Sequence, residues 1–257
     1  MRLGVALLSF VILVLWAITD TSPSKPAPPP RPCVDYRFER DLFLVCAFDS
    51  RTNELRLVDT DRAGAPLRSF GALRSVLGGE ARRVRFAMNA GMFDDVGLPI
   101  GLFVERGAVR HRLNRQRGEG NFHMLPNGVF SMDANGVLRV EASDAYAHRN
   151  AQSQWATQSG PMLVIDGALH PMIQANGPSL NIRNGVGVLN THRAYFVISE
   201  APVSFGRLAR FFRDRLHCRN ALYLDGAVSG AWVPTRGRMD QEHPLGPMIL
   251  ALERPRS

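Results

Sequence analysis

Val129-Phe130-Ser131-Met132-Asp133-Ala134-Asn135-Gly136-Val137-Leu138-Arg139-Val140 reads as a β-hairpin. Two apolar runs, 129–132 and 137–140, flank a turn that contains Asn135-Gly136. Asn and Gly tolerate the positive φ that tight turns between antiparallel strands demand. The pattern recurs outward in both directions. Runs 102–104 and 108–113 flank Glu105-Arg106-Gly107. Runs 162–165 and 168–170 flank Asp166-Gly167, and 186–189 and 195–198 flank Asn190 to Arg193. Further apolar runs at 42–48, 55–58, 84–88, 221–224 and 248–252 read as buried strands. Two helices interrupt the strands. One follows Ser69 as N-cap, gathers Phe70, Leu73, Val76 and Leu77 on one face, and stops at Gly78-Gly79. The other follows Ser204 and gathers Phe205, Leu208, Phe211, Phe212 and Leu216, with Arg207, Arg210 and Arg213 toward the opposite face. Many hairpins and few helices predict an α+β fold, a mainly antiparallel sheet in a single domain, and not a βαβ winding.

Composition narrows the function classes. Apolar residues at 45% and charged residues at 21% describe ordinary globular material that buries a core without staples. The net charge of +8 suggests nucleic acid at first sight, but only one of the 31 basic residues, Lys25, is lysine. The arginines are scattered, with no run of five basic residues, so no nucleic-acid partner is expected; the charge favours anionic substrates or a membrane face. Arg2 precedes an uncharged run at 3–18, followed by a Pro-rich stretch. The expected organisation is a signal peptide or inner-membrane anchor at 1–19, a linker at 20–32 and a folded domain at 33–257. That domain is expected to be exported to the periplasm, either free after cleavage or anchored. Cys33, Cys46 and Cys218 allow one disulfide and one leftover thiol, with the pair left open. No CxxC, HExxH, P-loop or GxGxxG occurs, so neither a metal nor a cofactor is expected. Gly226-Ala227-Val228-Ser229-Gly230 is one residue away from a nucleophile elbow.

Four apolar strands end abruptly in small and polar residues. They lead into Asn89-Ala90-Gly91-Met92-Phe93, Gln158-Ser159-Gly160-Pro161, Arg183-Asn184-Gly185 and Asp225-Gly226-Ala227-Val228-Ser229. Glycine at such points lets a ligand or another backbone come close. Asp225 is a candidate acid, base or nucleophile, or else a turn cap. Arg183 is a candidate bidentate clamp for phosphate. Asn89 binds sugar hydroxyls or shapes its turn. Gln158 and Ser159 are expected to line the same pocket, and Ser229 to bind phosphate or cap its loop. Gly91, Gly160, Asn184 and Gly226 complete the expected substrate-binding set. Asp166 and Glu105 are explained by turn chemistry alone.

These segments resemble the phosphodiester glycosidase family, which includes an enzyme that removes N-acetylglucosamine from a phosphodiester. The resemblance runs through Asn89 to Phe93, Ser159 to Gly167, Arg183 to Gly187 and Leu224 to Ser229. It is nearest to a bacterial exported branch at Gln158 to Met162 and Ala221 to Gly226, and covers about 42–252. Asn184 stands where the family has Thr, and Ala227 where it has Gly, so the substrate of the animal enzyme does not carry over. The resemblance implies a hydrolase that cuts a sugar phosphodiester at the anomeric carbon, on envelope glycans. A phosphate leaving group needs little protonation, so one convincing carboxylate, Asp225, is enough for the proposal. The competing expectation is a non-catalytic envelope module that binds anionic glycans through the same pocket.

Overall fold

The Asn135-Gly136 turn forms as its chemistry demands. Asp133 Oδ1 accepts from the N–H groups of Asn135 (2.9 Å) and Val137 (3.0 Å), and Gly136 takes a φ of 76°. At the two other tight turns, Arg106-Gly107 and Asp166-Gly167, both residues take positive φ, the handedness that matches the twist of antiparallel strands.

The computed structural model describes residues 31–150 and 152–255, so the expectations for 1–19 and for 20–30 of the linker lie outside the described residues. In chain order the strands are β1 (Cys33–Phe38), β2 (Asp41–Asp49), β3 (Asn53–Val58), β4 (Val84–Asn89), β5 (Phe103–Glu105), β6 (Ala108–His111), β7 (Gly128–Met132), β8 (Leu138–Ala142), β9 (Trp155–Ser159), β10 (Met162–Ile165), β11 (Ala168–Leu169), β12 (Asn184–Asn190), β13 (Arg193–Ser199), β14 (Asn220–Tyr223), β15 (Ala231–Val233), β16 (Arg238–Asp240) and β17 (Met248–Glu253). The helices are α1 (Phe70–Leu77), α2 (Ser143–Arg149) and α3 (Phe205–Arg210).

Three antiparallel sheets result, ordered β1-β2-β13-β12-β14-β10-β11, β16-β15-β4-β17-β3 and β6-β5-β9-β7-β8. The predicted α+β class with a mainly antiparallel sheet is therefore the observed one, divided into three sheets around a shared interior. Alternation along β2 explains how the seven-stranded sheet is covered on both faces. Phe43 and Val45 face α3 and its continuation, where Leu208, Phe211 and Phe212 are buried. Leu44, Cys46 and Phe48 face inward onto Phe86, Phe130 and Phe196. Phe196 lies 5.3 Å from Phe86 and 5.5 Å from Phe130, so one ring touches strands of all three sheets.

The helix caps act as read. Ser69 Oγ accepts from Ala72 N–H and Ser204 Oγ from Arg207 N–H. Arg207 departs from expectation: it does not face solvent but is 8% exposed, with Nη1 2.8 Å from Asp41 and 2.9 Å from Glu39. Those carboxylates, from the turn after β1 and the first residue of β2, offset the cost of burying its charge.

Cys33 pairs with Cys46 across β1 and β2, and Cys218 is a buried free thiol whose pKa burial pushes up to about 12. The disulfide closes a loop of sequence separation 13 and fastens an edge strand to the sheet. Replacing both cysteines by serine is expected to lower unfolding free energy by about 3 kcal/mol, measured by denaturant titration.

His170 is 1% exposed, its Nδ1 accepts from Met172 N–H, and burial holds its pKa below the ordinary 6.5. As pH falls through about 6.5, the unfolded chain takes up a proton that the folded chain refuses, so stability drops. His170→Asn keeps the acceptor and is expected to remove this component. The check is the wild-type-minus-variant difference in denaturation midpoint between pH 7.5 and 5.5.

Candidate active site

The junctions at Asn89, Asn184 and Asp225 converge because two sheets bring their strand ends to one place. β12 pairs with β14 through Gly185↔Tyr223, so Asn184 falls beside Leu224, whose N–H donates to its carbonyl (3.2 Å). β4 pairs with β15 through Met88↔Ala231, which sets Gly230 beside Asn89. The N–H of Asp225 donates to the carbonyl of Ala90 (3.1 Å) and links the two sheets directly.

The side chain of Asn89 fills the space between these ends. Its Nδ2 donates to the carbonyl of Asp225 (2.5 Å). Its Oδ1 accepts from Asn184 Nδ2 (2.9 Å) and from Gly230 N–H (3.1 Å). Asn89 and Asn184 are 1% and 0% exposed. Of the two roles considered for Asn89, the geometry favours shaping the turn, and Asn184 likewise supports the turn from within.

Asp225 itself is partly exposed. After it the chain makes a single 3-10 turn, Gly226–Val228, closed by Ser229 Oγ donating to the carbonyls of Gly226 (3.1 Å) and Ile182 (3.2 Å). Ser229 thus caps the loop. Gly226 is glycine for want of room: a Cβ there would stand 2.2 Å from Tyr223 Oη.

Arg183 differs from its expected role. It is 1% exposed, and its guanidinium lies 3.6 Å from the Phe205 ring centroid and 5.4 Å from that of Tyr223. Nε donates to the Val203 carbonyl (2.9 Å), Nη1 to Tyr223 Oη (3.2 Å), and Nη2 to the carbonyl and Oγ of Ser179 (both 3.0 Å). Four hydrogen bonds inside the chain leave no open fork for phosphate. Arg183 is instead a fixed positive charge beneath the Asp225 turn, pinning the segment before it. Burial pulls its pKa below the ordinary arginine value, and the neighbouring Tyr223 opposes that shift. Burial pushes the Tyr223 hydroxyl up to about 12, against the pull of Arg183.

The Gln158 junction is also corrected. Gln158 is 1% exposed, and its amide is used entirely within the chain. Oε1 accepts from Leu102 N–H and Asn114 N–H (2.9 Å each), and Nε2 donates to Asn114 carbonyl (2.5 Å) and Ser143 Oγ (2.9 Å). It holds loops in place from within the interior. Ser159 is 0% exposed, and its Oγ has no partner among the described residues. Gly160 packs on the 121–127 segment, where a Cβ would meet Phe122 carbonyl at 2.7 Å. At Gly91 a Cβ would meet the Gln158 carbonyl at 2.2 Å. The close approach that these glycines permit is therefore from backbone, not ligand. Polar residues ending apolar strands are needed here to satisfy each other in the interior.

Sequence reading missed Tyr223, Phe205 and Ser179. Tyr223 carried a signal: a phenol two residues before Asp225 in a buried strand needs a hydrogen-bond partner. Phe205 and Ser179 gave none, since only the fold brings them to Arg183.

Residues 82–255 match the phosphodiester glycosidase family. The chain is also 35% identical, over 185 residues, to the uncharacterized protein YigE of Escherichia coli, covering 70% of this chain and 71% of that one. The chain belongs to the phosphodiester glycosidase family. Membership makes it a phosphodiester glycosidase-like hydrolase. Among solved structures it resembles the catalytic domain of zebrafish N-acetylglucosamine-1-phosphodiester alpha-N-acetylglucosaminidase, with TM-score 0.61, 13% identity and coverage of 86% and 81% of the two chains. It also resembles a hypothetical protein from Synechocystis, with TM-score 0.53, 15% identity and coverage of 86% of this chain and 61% of the other. At these identities the likeness is one of fold. Among the described residues, no group of three or more His, Cys, Asp or Glu side chains is placed to hold a metal.

Replacing Asn89 by Ala removes one buried amide and strands the Gly230 N–H. The expected cost is about 3 kcal/mol of stability, with faster hydrogen exchange at the amides of Asp225 and Gly230. Denaturant titration and exchange by mass spectrometry check both.

Proposed function

We propose that this phosphodiester glycosidase is an exported bacterial hydrolase that cuts the bond between the anomeric carbon and the phosphate oxygen of a sugar phosphodiester, acting on envelope glycans. The observation that carries this reading is Asp225, a partly exposed carboxylate displayed on a turn whose backbone is held by buried Asn89. A reacting group fixed from behind by a satisfied polar network is the arrangement that catalysis rewards.

In the proposed step the bond from the anomeric carbon to the phosphate oxygen breaks, and its electron pair leaves with the phosphomonoester. Water supplies the new oxygen at that carbon, and Asp225 takes the water proton; in the covalent variant Asp225 attacks first and water then releases the sugar. The phosphate leaves as a stable anion, so the demand on a general acid is small. Arg183, charged and buried under Tyr223 and the Asp225 turn, favours negative charge at the site through its field and not through direct contact.

Export rests on the apolar run at 3–18 behind Arg2, and on the disulfide, which suits an oxidising compartment. The 35% identical relative from Escherichia coli supports the bacterial setting. Anchorage by residues 3–18 is the membrane-bound form of the same proposal.

The test incubates the full chain with a panel of sugar-1-phosphodiesters and an aryl phosphodiester. Free sugar and phosphomonoester are followed separately. Free sugar with intact phosphomonoester is the expected result, and Asp225→Asn is expected to lower kcat by about a thousandfold or more with substrate binding kept. Sugar phosphate as product would make the enzyme a phosphodiesterase. Binding without turnover by the wild type would point to the anionic-glycan module instead. Isolation of a glycosyl ester on Asp225 would select the covalent variant.

A further inference from the structure

Residues 105–120 carry five arginines, Arg106, Arg110, Arg112, Arg115 and Arg117, against Glu105 and Glu119. All five arginines are exposed. Among the described residues, only Arg115 has an ion pair, 3.3 Å from Asp144 with both side chains largely in solvent. The contrast with the arginine-rich stretch at 207–219 is instructive. There Arg207, Arg210 and Arg213 are matched to Asp41, Glu39 and Asp214, while Arg215 and Arg219 have no ion pair among the described residues. The 105–120 segment is a concentration of positive charge in which four of five arginines have no ion pair among the described residues.

Its backbone is nevertheless fixed. His111 Nδ1 lies 2.8 Å from the Gly101 carbonyl, and Asn114 Nδ2 donates to the Ile100 carbonyl (3.0 Å). Asn114 N–H and carbonyl are both taken by the Gln158 amide. His123 Nδ1 lies 2.9 Å from the Gln116 carbonyl. Leu113 packs against the cluster of Leu102, Val104 and Val129. Gln158, the residue that holds this strap, sits directly against Gly91, and the carbonyl of Ala90 holds the Asp225 N–H. Contacts through Gln158, Gly91 and Ala90 thus connect the strap to the Asp225 backbone.

Crowding like charges on a pinned segment raises the energy of the free protein, and a polyanion relieves it with release of counterions. Arg110 lies at the irregularity where β6 pairs with β5, and Arg112 follows the last residue of β6. Arg115 and Arg117 follow in the same exposed, irregular segment. A single phosphodiester meets one such charge at a time, whereas a chain with a charge at every short repeat meets several.

We propose that the 105–120 strap is a docking track for a polyanionic substrate, a glycan whose repeats are joined through phosphodiesters. The track engages charges that flank the bond presented to Asp225. This deepens the hydrolase reading and rests on it for the identity of the polymer, but the binding stands on the strap alone.

The test uses the full chain and its Arg110→Ser, Arg112→Ser, Arg117→Ser triple variant. The probe is fluorescently labelled inorganic polyphosphate, with orthophosphate and phosphatidylglycerol vesicles in parallel. The wild type is expected to bind polyphosphate in a strongly salt-dependent manner, and the triple variant at least tenfold more weakly. Both proteins are expected to turn over a small sugar phosphodiester equally, which also shows that the variant folds. Equal polyphosphate binding by the two proteins would overturn the proposal, as would wild-type binding to vesicles but not to polyphosphate. Because binding is read without turnover, loss of the hydrolase reading and loss of the docking track give different results.

Discussion

The Asn89 side chain accepts two hydrogen bonds and donates one, all inside the protein, and each joins a different piece of chain. Asn184 begins β12, Gly230 precedes β15, and Asp225 starts the partly exposed turn. Two sheets are thereby locked together at the place where their strands stop. The low dielectric of the interior strengthens such bonds and makes any orphaned donor costly, so the group holds as a unit or fails as one. The position of Asp225 depends on this unit.

Arg183 is the second constraint, and its energetics run the other way. A buried guanidinium is expensive to desolvate, and the chain offsets that cost with four hydrogen bonds and two aromatic faces. Those contacts join the 179–183 segment, the start of α3 and the last strand before Asp225. The arginine draws three parts of the fold under the reactive turn and leaves a positive charge there. The same side chain therefore serves packing and electrostatics, which is why burial does not argue against a part in function.

Glycine tells a related story at the candidate site. Gly91 and Gly160 bring backbone against backbone, and Gly226 lets a turn settle onto the Tyr223 hydroxyl. In each case the missing side chain makes room for the protein itself. The outer surface of the site is left to Asp225 and its neighbours, and charge for recruiting substrate is placed on the separate 105–120 strap.

Much of the fold was legible because its signals are local. Asn135-Gly136, Arg106-Gly107 and Asp166-Gly167 announce hairpins through φ, and Ser69 and Ser204 announce helices through an N–H that needs an acceptor. Strands of three residues such as β15 and β16, and the short α2, are too brief for periodicity to declare, and β1 mixes charged Asp35 and Arg37 with apolar residues and is half exposed because it sits at a sheet edge. The sequence by itself determined the antiparallel α+β class, three of the four strand-end junctions (at Arg183-Asn184 a strand begins instead), the family, and the choice of Asp225 as candidate catalytic carboxylate. Only the tertiary structure decided that Asn89, Asn184 and Gln158 face inward, that Arg183 is sealed under Tyr223 and Phe205, and that Cys33 joins Cys46. The physical reason is that a polar residue at a strand end can turn toward solvent or toward its fellows. Which way it turns depends on hydrogen-bond partners that lie far away in the chain and are brought near only by the packing of the three sheets.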